Sequence, residues 1–361
     1  MIELRAMEGD EAQPLAPTRW SWESVRKVLL IRLRSIGDTV LSTPSLFALK
    51  RFLPNAEVDI LVEDWVAPVL DQHPHIDNVV VLERGGFSAR ARVAREIRAA
   101  GYDVVYNLHG GTTATFLTRA TGARHRVGFK SYQYAQLHNH QAPPSSLLWG
   151  TSKTHSVEQQ LALLGWTGVP VSDRPRTQLA VTDEAAAAVR RQLSEAGIEE
   201  DRPIALIHPA AAFATKQWAT ENFARVAEFV TERGFTPVAI ARPNEHEIIA
   251  ALRTAASVPI VSLDLSLPEV AALAARSQIF VGNDSGIAHI AAAVGTPSVV
   301  IFGSSNIAHW HPWNKAAAEV VYEAMPCQPC PGYFCAQFSQ PECILRVPVD
   351  RVLTAIERTL C

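Results

Sequence analysis

The stretch from Ser277 to Gly303 most constrains how this 361-residue chain folds. A short apolar run ends at Gly282, an alanine-rich run with helical spacing follows, and a second apolar run precedes Gly303. Gly-Thr-Pro at 295–297 marks the end of the helical run. The stretch therefore predicts a buried strand, a tight turn, a helix and a second buried strand.

The turn in this stretch carries polar groups that suit an anionic ligand. A helix that begins directly after a strand directs its free backbone N–H groups and its positive dipole end toward the turn, which favours phosphate. Ser285 adds a hydroxyl, Gly286 allows close approach to the backbone, and His289 lies one turn further along the same helix face. The alternative is that Asp284 or Ser285 only caps the helix and that His289 is a packed core residue.

Strand and helix patterns alternate along both halves of the chain, which predicts α/β domains with parallel sheets. We expect a tail over 1–24, a first Rossmann-like domain over 25–170 and a second over 171–361, with their sheets facing a central cleft. Strands are predicted at 25–33, 58–62, 78–82, 103–108, 127–129, 204–208, 237–240, 260–263, 279–281 and 298–302. Helices are predicted at 41–52 with a break near Pro44, and at 88–100, 155–164, 183–196, 221–233, 245–255, 267–275, 287–294 and 349–360. The segment 130–152 shows no clear period, and the final helix is compatible with either half.

Composition limits the class of protein. Hydrophobic residues make up 48% of the chain and charged residues 19%, with a net charge of -3, so the chain is globular and has no footprint for nucleic-acid binding. No apolar run is long enough for a membrane span. Residues 1–24 lack the apolar core of a signal peptide, so we expect a flexible tail and a cytoplasmic enzyme. A peripheral contact with the inner membrane stays open.

Two further residues lie at predicted strand ends, where open parallel sheets bind ligands. Asp38 follows the first strand, where a carboxylate can accept a proton from an attacking hydroxyl. Lys216 follows a loop of small residues after the strand that ends at His208, where an ammonium can neutralise a phosphate. The alternatives are a helix-capping aspartate and a solvated surface lysine.

Glu245 follows the strand at 237–240, a place where an acidic residue often binds ribose hydroxyls. Glu247 is an alternative for the same role, and both suit a capping cluster. The chain lacks a Gly-x-Gly-x-x-Gly motif and a Walker lysine loop, which disfavours a dehydrogenase or a P-loop NTPase. It also lacks an Asp-x-Asp pair for a divalent cation, so no cofactor is expected.

Four of the five cysteines fall within one short segment, at Cys327, Cys330, Cys335 and Cys343. One Cys-x-x-Cys pair with two nearby cysteines suits a structural zinc site, but the second Cys-x-x-Cys of a strong zinc signature is absent.

Together these motifs resemble glycosyltransferase family nine, the ADP-heptose:lipopolysaccharide heptosyltransferases. The resemblance covers about residue 25 to the C-terminus and is carried by Ile31–Pro44, His208–Trp218, Gly282–Gly303 and the cysteine-rich segment, together with Asn107–Gly110 and Gly122–Phe129. It implies the two-domain GT-B fold and an inverting, metal-independent transfer of heptose from ADP-heptose to the lipopolysaccharide core.

The resemblance also implies roles for individual residues. Asp38 would be the general base that deprotonates the acceptor hydroxyl. The donor would be bound by the second domain with help from the first β–α turn, through Lys216, Asp284, Ser285, Gly286, His289, Glu245, Ser35 and Gly37. The acceptor would dock on the first domain, with its phosphates or carboxylates near the 130–152 segment and Arg84, Arg119, Arg124 and Arg126. The sequence departs from the family at Arg34, where a small residue is usual.

Other classes share this fold. A sugar-nucleotide epimerase, a transferase with a different nucleotide sugar and a non-catalytic binding protein remain alternatives. Product analysis separates them, because transfer needs an acceptor, epimerisation does not, and a binding protein gives no turnover.

Overall fold

The computed structural model describes residues 12–314, 317–330 and 333–360. Within these residues the chain forms two six-stranded sheets, and all the strands of each sheet are parallel. Counted along the chain, the strands of the first sheet lie side by side in the order third, second, first, fourth, fifth, sixth, and those of the second sheet in the order sixth, fifth, fourth, first, second, third. This confirms the predicted α/β architecture of two Rossmann-like halves.

The first sheet and its helices occupy the N-terminal half. Its strands β1 to β6 span Lys27–Ile31, Glu57–Glu63, Asn78–Leu82, Val104–Asn107, His125–Phe129 and His140–Ala142. Helices α1 to α6 span Ile36–Val40, Thr43–Phe52, Phe87–Ala99, Thr112–Ala120, Ser145–Trp149 and Ser156–Trp166.

The second sheet repeats the pattern. Its strands β7 to β12 span Ile204–His208, Thr236–Ile240, Val261–Leu263, Ile279–Asn283, Ser298–Phe302 and Ala318–Tyr322. Helices α7 to α14 span Asp183–Glu195, Thr220–Glu232, His246–Ala255, Leu267–Arg276, Gly286–Ala293, Ile307–Trp310, Glu342–Leu345 and Val349–Leu360. Short 3-10 turns lie at Ala67–Leu70, Ala135–Leu137, Ala214–Lys216 and Pro243–Glu245.

The described residues form three apolar cores that hold these layers together. One lies between the two halves and includes Leu46 of α2 and Leu273 of α10. A second lies on the outer side of the second sheet, where Val230 of α8 packs with Ile356 of α14. The final helix therefore belongs to the second half. The third core joins α3 and α4 to the outer side of the first sheet, with Ile97 among its members.

Residues 12–24 differ from the expected loose tail. The backbone N–H groups of Leu15 and Ala16 donate to the carbonyl oxygen of Gly165 at 3.0 and 3.1 Å. The indole N–H of Trp22 donates to the carbonyl oxygen of Thr167 at 3.2 Å. These bonds attach the segment to the end of α6, and the rest of the predicted tail, residues 1–11, lies outside the described residues.

The segment 130–152 is more regular than its composition indicates. It contains β6, which extends the first sheet beside β5, and the short helix α5. A three-residue strand is too short to show an alternating pattern, which explains why the sequence did not predict it. Helix α4 and strand β12 were also missed.

Candidate functional site

A cavity of about 450 Å³ lies between the carboxyl edges of the two sheets. The predicted catalytic residue and all eight predicted donor-binding residues line it, although they come from turns far apart in sequence. The first half contributes Ser35, Gly37 and Asp38, and the second contributes Lys216, Glu245, Asp284, Ser285, Gly286 and His289. The topology produces this convergence because the carboxyl ends of parallel strands share one edge of a sheet.

Asp38 lies in α1, directly after the turn that leaves β1. Its Oδ1 forms an ion pair with Nη2 of Arg32, whose Nη1 donates to the carbonyl oxygen of Leu108 at 2.9 Å. Burial lowers the pKa of Arg32 to about 10, so the guanidinium stays cationic at neutral pH. Arg32 therefore fixes the orientation of the carboxylate.

The turn before Asp38 has an unusual backbone. Ser35 adopts φ 76°, in the left-handed region that side chains other than glycine rarely enter. Such conformations persist where the surrounding structure holds them, and they cluster at functional sites. Here the turn brings Ser35, Gly37 and Asp38 to one wall of the cavity.

Helices α1 and α11 meet across the boundary between the two halves. A Cβ on Gly37 would lie 2.7 Å from Cδ2 of His289, and a Cβ on Gly286 would lie 2.8 Å from Cβ of Ile36. Each glycine is therefore required for this approach, since real Cβ atoms do not come so close to other heavy atoms. The contact places the start of α11 beside the start of α1.

Lys216 forms a buried ion pair with Asp284. The Nζ of Lys216 lies 2.8 Å from Oδ2 of Asp284, and the Asp284 side chain is only 5% exposed. The hydroxyl of Ser305 donates to the same oxygen at 2.5 Å. Asp284 therefore positions the lysine ammonium in the cavity wall, a role the sequence did not assign to it.

The N-terminus of α11 is open toward the cavity. Ser285 is its N-cap residue, yet its side chain forms no capping hydrogen bond and lies 3.3 Å from Nδ1 of His208 instead. The expectation that Ser285 only caps the helix is therefore wrong. The N–H groups of the first turn remain available to an anion, because a helix leaves its first N–H groups without intrahelical partners.

Two buried histidines flank this helix start. Burial lowers the pKa of His289 to about 4 and that of His208 to about 3. Both are therefore neutral at pH 7, and each imidazole donates one hydrogen bond rather than a positive charge. Nδ1 of His289 is buried without a hydrogen-bond partner among the described residues.

The position of Glu245 is compatible with both predicted roles, ligand binding and capping. Its Oε2 accepts a hydrogen bond from the backbone N–H of Arg242 at 2.9 Å, which caps the turn, and its side chain also lines the cavity. Glu247 is exposed on α9 and does not line the cavity. The structure therefore favours Glu245 over Glu247 as a ligand contact.

The four arginines predicted for the acceptor lie at two different places. Arg84 follows β3 at the carboxyl edge, where it pairs with Asp64 at 3.1 Å. Arg119 ends α4, Arg124 precedes β5, and Arg126 is the second residue of that strand. These three lie toward the amino edge of the first sheet and do not line the cavity, so their role in acceptor binding stays a prediction that the cavity does not support.

Several cavity residues were missed or left unassigned by the sequence. Arg34 follows β1, Arg242 follows β8, and aromatic side chains of Trp65, Phe213 and Trp310 complete the wall. The rule that ligands lie at carboxyl strand ends would have found both arginines. Trp65 lies in a turn and Trp310 ends the four-residue helix α12, and neither segment shows a sequence pattern. A neighbouring cavity of about 330 Å³ shares Ile36, His208, Arg242 and Ile287 with the first and adds Asp264 and Leu265.

The four clustered cysteines surround a separate cavity of about 480 Å³ beside the second sheet. All four are free thiols. Burial raises the pKa of the Cys343 thiol to about 11, with a further contribution from the other three cysteines. Among the described residues, no group of three or more His, Cys, Asp or Glu side chains is arranged to hold a metal ion. The zinc site therefore stays a prediction.

Sequence comparison assigns the chain that forms this cavity to a known family. Residues 90–337 match the family described as glycosyltransferase family 9 (heptosyltransferase). The chain belongs to glycosyltransferase family 9. The matched region includes Lys216 and the whole β10–α11–β11 unit, while Asp38 precedes it. Membership confirms the resemblance drawn from the motifs and identifies the protein as a glycosyltransferase, which decides against the epimerase and the non-catalytic binding protein.

Individual relatives with curated names support this assignment. The chain is 28% identical over 302 residues to lipopolysaccharide heptosyltransferase 3 of Escherichia coli, an alignment that covers 78% of this chain and 85% of the relative. It is 25% identical over 376 residues to lipopolysaccharide heptosyltransferase 1 of Pseudomonas aeruginosa, covering 92% of this chain and 98% of the relative.

The fold also matches solved structures. A family 9 glycosyltransferase from Veillonella parvula superposes with a TM-score of 0.79 at 22% identity, covering 93% of this chain and 97% of the other. The likeness shows the GT-B fold of two Rossmann-like domains. In the present chain, no helix among the described residues has the length and apolar character needed to cross a membrane.

Proposed function

We propose that this protein transfers a heptose from ADP-heptose to a sugar of the lipopolysaccharide inner core, with inversion at the anomeric carbon and without a metal ion. The observation that carries the proposal is the single cavity that joins Asp38 from one half to Lys216, Ser285 and His289 from the other. A base on one side and phosphate-binding groups on the other suit in-line attack on a nucleotide sugar.

The names of relatives support the choice of donor and acceptor. The relatives in Escherichia coli and Pseudomonas aeruginosa are lipopolysaccharide heptosyltransferases. The solved structure of ADP-heptose lps heptosyltransferase II from Escherichia coli superposes with a TM-score of 0.77 at 22% identity, covering 92% of this chain and 98% of the other. We extend that donor and that acceptor class to this protein.

Asp38 acts as the general base in this proposal. Its carboxylate accepts the proton of an acceptor hydroxyl as that oxygen forms a bond to the anomeric carbon. The bond between the anomeric carbon and the diphosphate oxygen breaks on the opposite face, so the configuration inverts and ADP leaves with the bonding electrons. Arg32 holds the carboxylate in place through its ion pair.

The second domain stabilises the leaving diphosphate. Negative charge accumulates on it as the bond breaks, so donors fixed at that point lower the barrier. Lys216 supplies a positive charge, the first turn of α11 supplies N–H groups, and Ser285 and neutral His289 supply further hydrogen bonds. These groups do the work that a divalent cation does in other transferases, which supports metal independence.

The remaining polar groups suit the rest of the donor. Glu245 at the cavity wall suits the ribose hydroxyls, and Ser35 and Gly37 approach the donor from the first domain. The neighbouring cavity, with Leu265 and Asp264 in its wall, has the mixed apolar and polar lining that an adenine ring needs.

The acceptor docks on the first domain in this proposal, at the carboxyl edge of its sheet. Arg34 and Arg84 lie there with exposed guanidinium groups that suit phosphates or carboxylates. An acceptor anchored in the inner membrane requires the enzyme to work at the cytoplasmic face of that membrane, in peripheral contact with it.

Product analysis tests the proposed function. Purified protein is incubated with ADP-heptose and core oligosaccharide from a heptose-deficient strain, and the product is examined by mass spectrometry and by NMR of the anomeric proton. We expect one added heptose, inverted configuration and release of ADP, only when acceptor is present. Turnover without acceptor, or transfer from another nucleotide sugar in place of ADP-heptose, would refute the proposal.

A further inference from the structure

Helices α3 and α4 form one exposed layer on the outer side of the first sheet. Both are packed through their apolar side chains, with Val93 and Ile97 of α3 and Leu117 of α4 in the same buried core. The opposite sides of these helices face outward. We call this outward surface the α3–α4 face and define it by the exposed side chains of residues 87–99 and 112–124 together with Tyr134.

The α3–α4 face is strongly basic in a chain whose net charge is -3. It carries exposed arginines at positions 90, 92, 95, 98, 119 and 124, whereas its nearby exposed carboxylates are those of Glu83 and Glu96. Arg92 pairs with Glu83. In the described part of the chain, no ion pair neutralises the other five arginines. The guanidinium of Arg98 lies against Gly122, so the ends of the two helices bring their charges together.

The same face exposes large aromatic side chains. Phe87 is 85% exposed, Phe116 is 53% exposed, and Tyr134 is 42% exposed with its ring centroid 5.5 Å from that of Phe116. All three lie near the carboxyl edge of the sheet, because α3 and α4 begin directly after strands β3 and β4. The aromatic end of the face therefore borders the cleft, and its arginines extend away from it.

We propose that the α3–α4 face docks on an anionic phospholipid bilayer. Arginines attract the negative surface of such a bilayer, and exposed aromatic rings partition into its interface. The helices lie flat on the surface rather than insert, because their own apolar sides are already buried against the sheet. Nucleic acid is less suited, since it offers no apolar layer for Phe87 and Phe116.

This inference rests on the proposed function for its purpose, since docking would hold the acceptor side of the cleft at the membrane where a lipid-linked acceptor resides. Its test does not require transfer. Binding is measured by flotation of full-length protein with vesicles that contain no lipopolysaccharide, made of phosphatidylcholine alone or with about a third phosphatidylglycerol. We expect binding to the anionic vesicles only, and weaker binding at high salt because screening shortens the range of the interaction.

Charge reversal on α3 identifies the surface. Each arginine near an anionic bilayer is worth about 1 kcal/mol, or roughly fivefold in affinity. We therefore expect Arg90→Glu/Arg95→Glu/Arg98→Glu to weaken vesicle binding by at least about a hundredfold. The matched control, Arg190→Glu/Arg191→Glu/Arg225→Glu in the second half, changes the net charge equally and should bind like wild type. Phe87→Ser/Phe116→Ser should weaken binding without a change in charge.

Three results would overturn the proposal. The first is that the wild type does not bind anionic vesicles. The second is that the α3 charge-reversal variant and the control variant lose vesicle binding equally. The third is that the protein binds a 20-base-pair RNA duplex more tightly than anionic vesicles when the two compete for it. Circular dichroism monitors folding, and the milder Arg90→Gln/Arg95→Gln/Arg98→Gln variant replaces the reversal if it misfolds. Transfer of heptose to a water-soluble acceptor separates the two proposals. An α3 variant that transfers heptose normally but does not float with vesicles supports docking. A wild type that floats with vesicles but never transfers heptose refutes only the proposed function.

Discussion

Gly37 and His289 approach each other so closely that a Cβ on the glycine would lie 2.7 Å from Cδ2 of the imidazole. One residue belongs to the α1 turn of the first half and the other to α11 of the second. The pair therefore sets the distance between the predicted base, one residue after Gly37, and the predicted phosphate-binding helix. Substitution of either residue should disturb both sides of the site.

Gly37→Ala should reduce the free energy of unfolding and donor affinity together. An extra methyl group in a close-packed contact typically costs about 1–3 kcal/mol, and relief of the clash requires His289 to move. Chemical denaturation and calorimetry with ADP measure the two effects. Gly86→Ala is the control, because a Cβ there meets nothing within 4 Å. If the two variants have the same free energy of unfolding and the same ADP affinity, α1 and α11 can move apart to accommodate the methyl group at no cost.

Asp38→Asn should abolish transfer while leaving ADP affinity nearly unchanged. The amide cannot accept the proton, and loss of a general base typically costs about a hundred- to ten-thousand-fold in rate. Steady-state kinetics and calorimetry on the same preparation give the comparison, with Asp71→Asn at an exposed position as control. A variant that retains wild-type kcat would assign Asp38 to a structural pairing with Arg32 alone.

Lys216→Ala and His289→Ala should each weaken ADP binding. Each removes a donor to phosphate. A hydrogen bond to a charged group is worth roughly 1.5–3 kcal/mol, or about ten- to a hundred-and-fiftyfold in affinity, and Lys216→Ala should fall at the low end because its ammonium is already paired with Asp284. Lys216→Ala also leaves the buried Asp284 carboxylate without its ion-pair partner, so the double change Lys216→Ala/Asp284→Asn separates binding from stability. Wild-type ADP affinity in both single variants would place the diphosphate elsewhere.

Arginines at the two edges of the first sheet should behave differently. Arg84→Ala should raise the KM for acceptor and leave ADP affinity unchanged, because Arg84 lies at the carboxyl edge. Arg126→Ala should change neither, since its guanidinium donates to the carbonyl oxygens of Ala123 and Leu137, at 2.6 and 3.3 Å, away from the cavity. The KM for acceptor is measured for both variants in the same kinetic assay. A raised KM in Arg126→Ala alone would place the acceptor at the amino edge of the sheet instead.

Removal of divalent cations should leave transfer unchanged. Lys216 and the N–H groups of α11 already supply positive electrostatic potential to the proposed leaving group. Activity is compared in EDTA and in added magnesium or manganese after dialysis. A strict dependence on added cation would contradict the metal-independent proposal, whereas zinc in the purified protein, measured by elemental analysis, would concern the four cysteines instead.

Stability should fall as the pH drops below about 6.5, and His155 should contribute to the fall. Its Nδ1 accepts from the N–H of Val157 at 3.1 Å, and its Nε2 lies 2.8 Å from the carbonyl oxygen of His311, so the neutral ring bridges the two halves. Burial lowers its pKa to about 2. The unfolded chain therefore binds the proton first, and each such group reduces the free energy of unfolding by about 1.4 kcal/mol per pH unit.

His155→Asn tests this contribution. The asparagine retains a side-chain oxygen to cap α6 but cannot take up a proton. Denaturation between pH 6 and 4.5 should show a shallower loss of stability for the variant than for wild type, by about 1.4 kcal/mol per pH unit. Parallel slopes would indicate that His155 is protonated in the folded protein.

Sequence patterns predicted which turns meet at the cavity more fully than they predicted the short elements of the fold. Asp38, Lys216 and Ser285 each follow a strand with a strong apolar run, and parallel strands bring such turns to one edge. The role of Asp284 could not be predicted, because its pairing with Lys216 joins residues that lie 68 positions apart in sequence. Strand β6 has only three residues, and residues 12–24 are ordered by contacts with α6 rather than by a local pattern.

The Lys216–Asp284 ion pair implies that donor binding is an exchange of partners. A diphosphate that bonds the lysine ammonium competes with the Asp284 carboxylate, which is already 2.8 Å away. The gain in binding free energy is therefore the difference between two charge-assisted contacts rather than the whole of one. In the proposed reaction, affinity for ADP-heptose is reduced accordingly, and the reduction applies equally to the ADP that leaves. A site that binds its leaving group only moderately releases it readily, which protects the enzyme from inhibition by its own product.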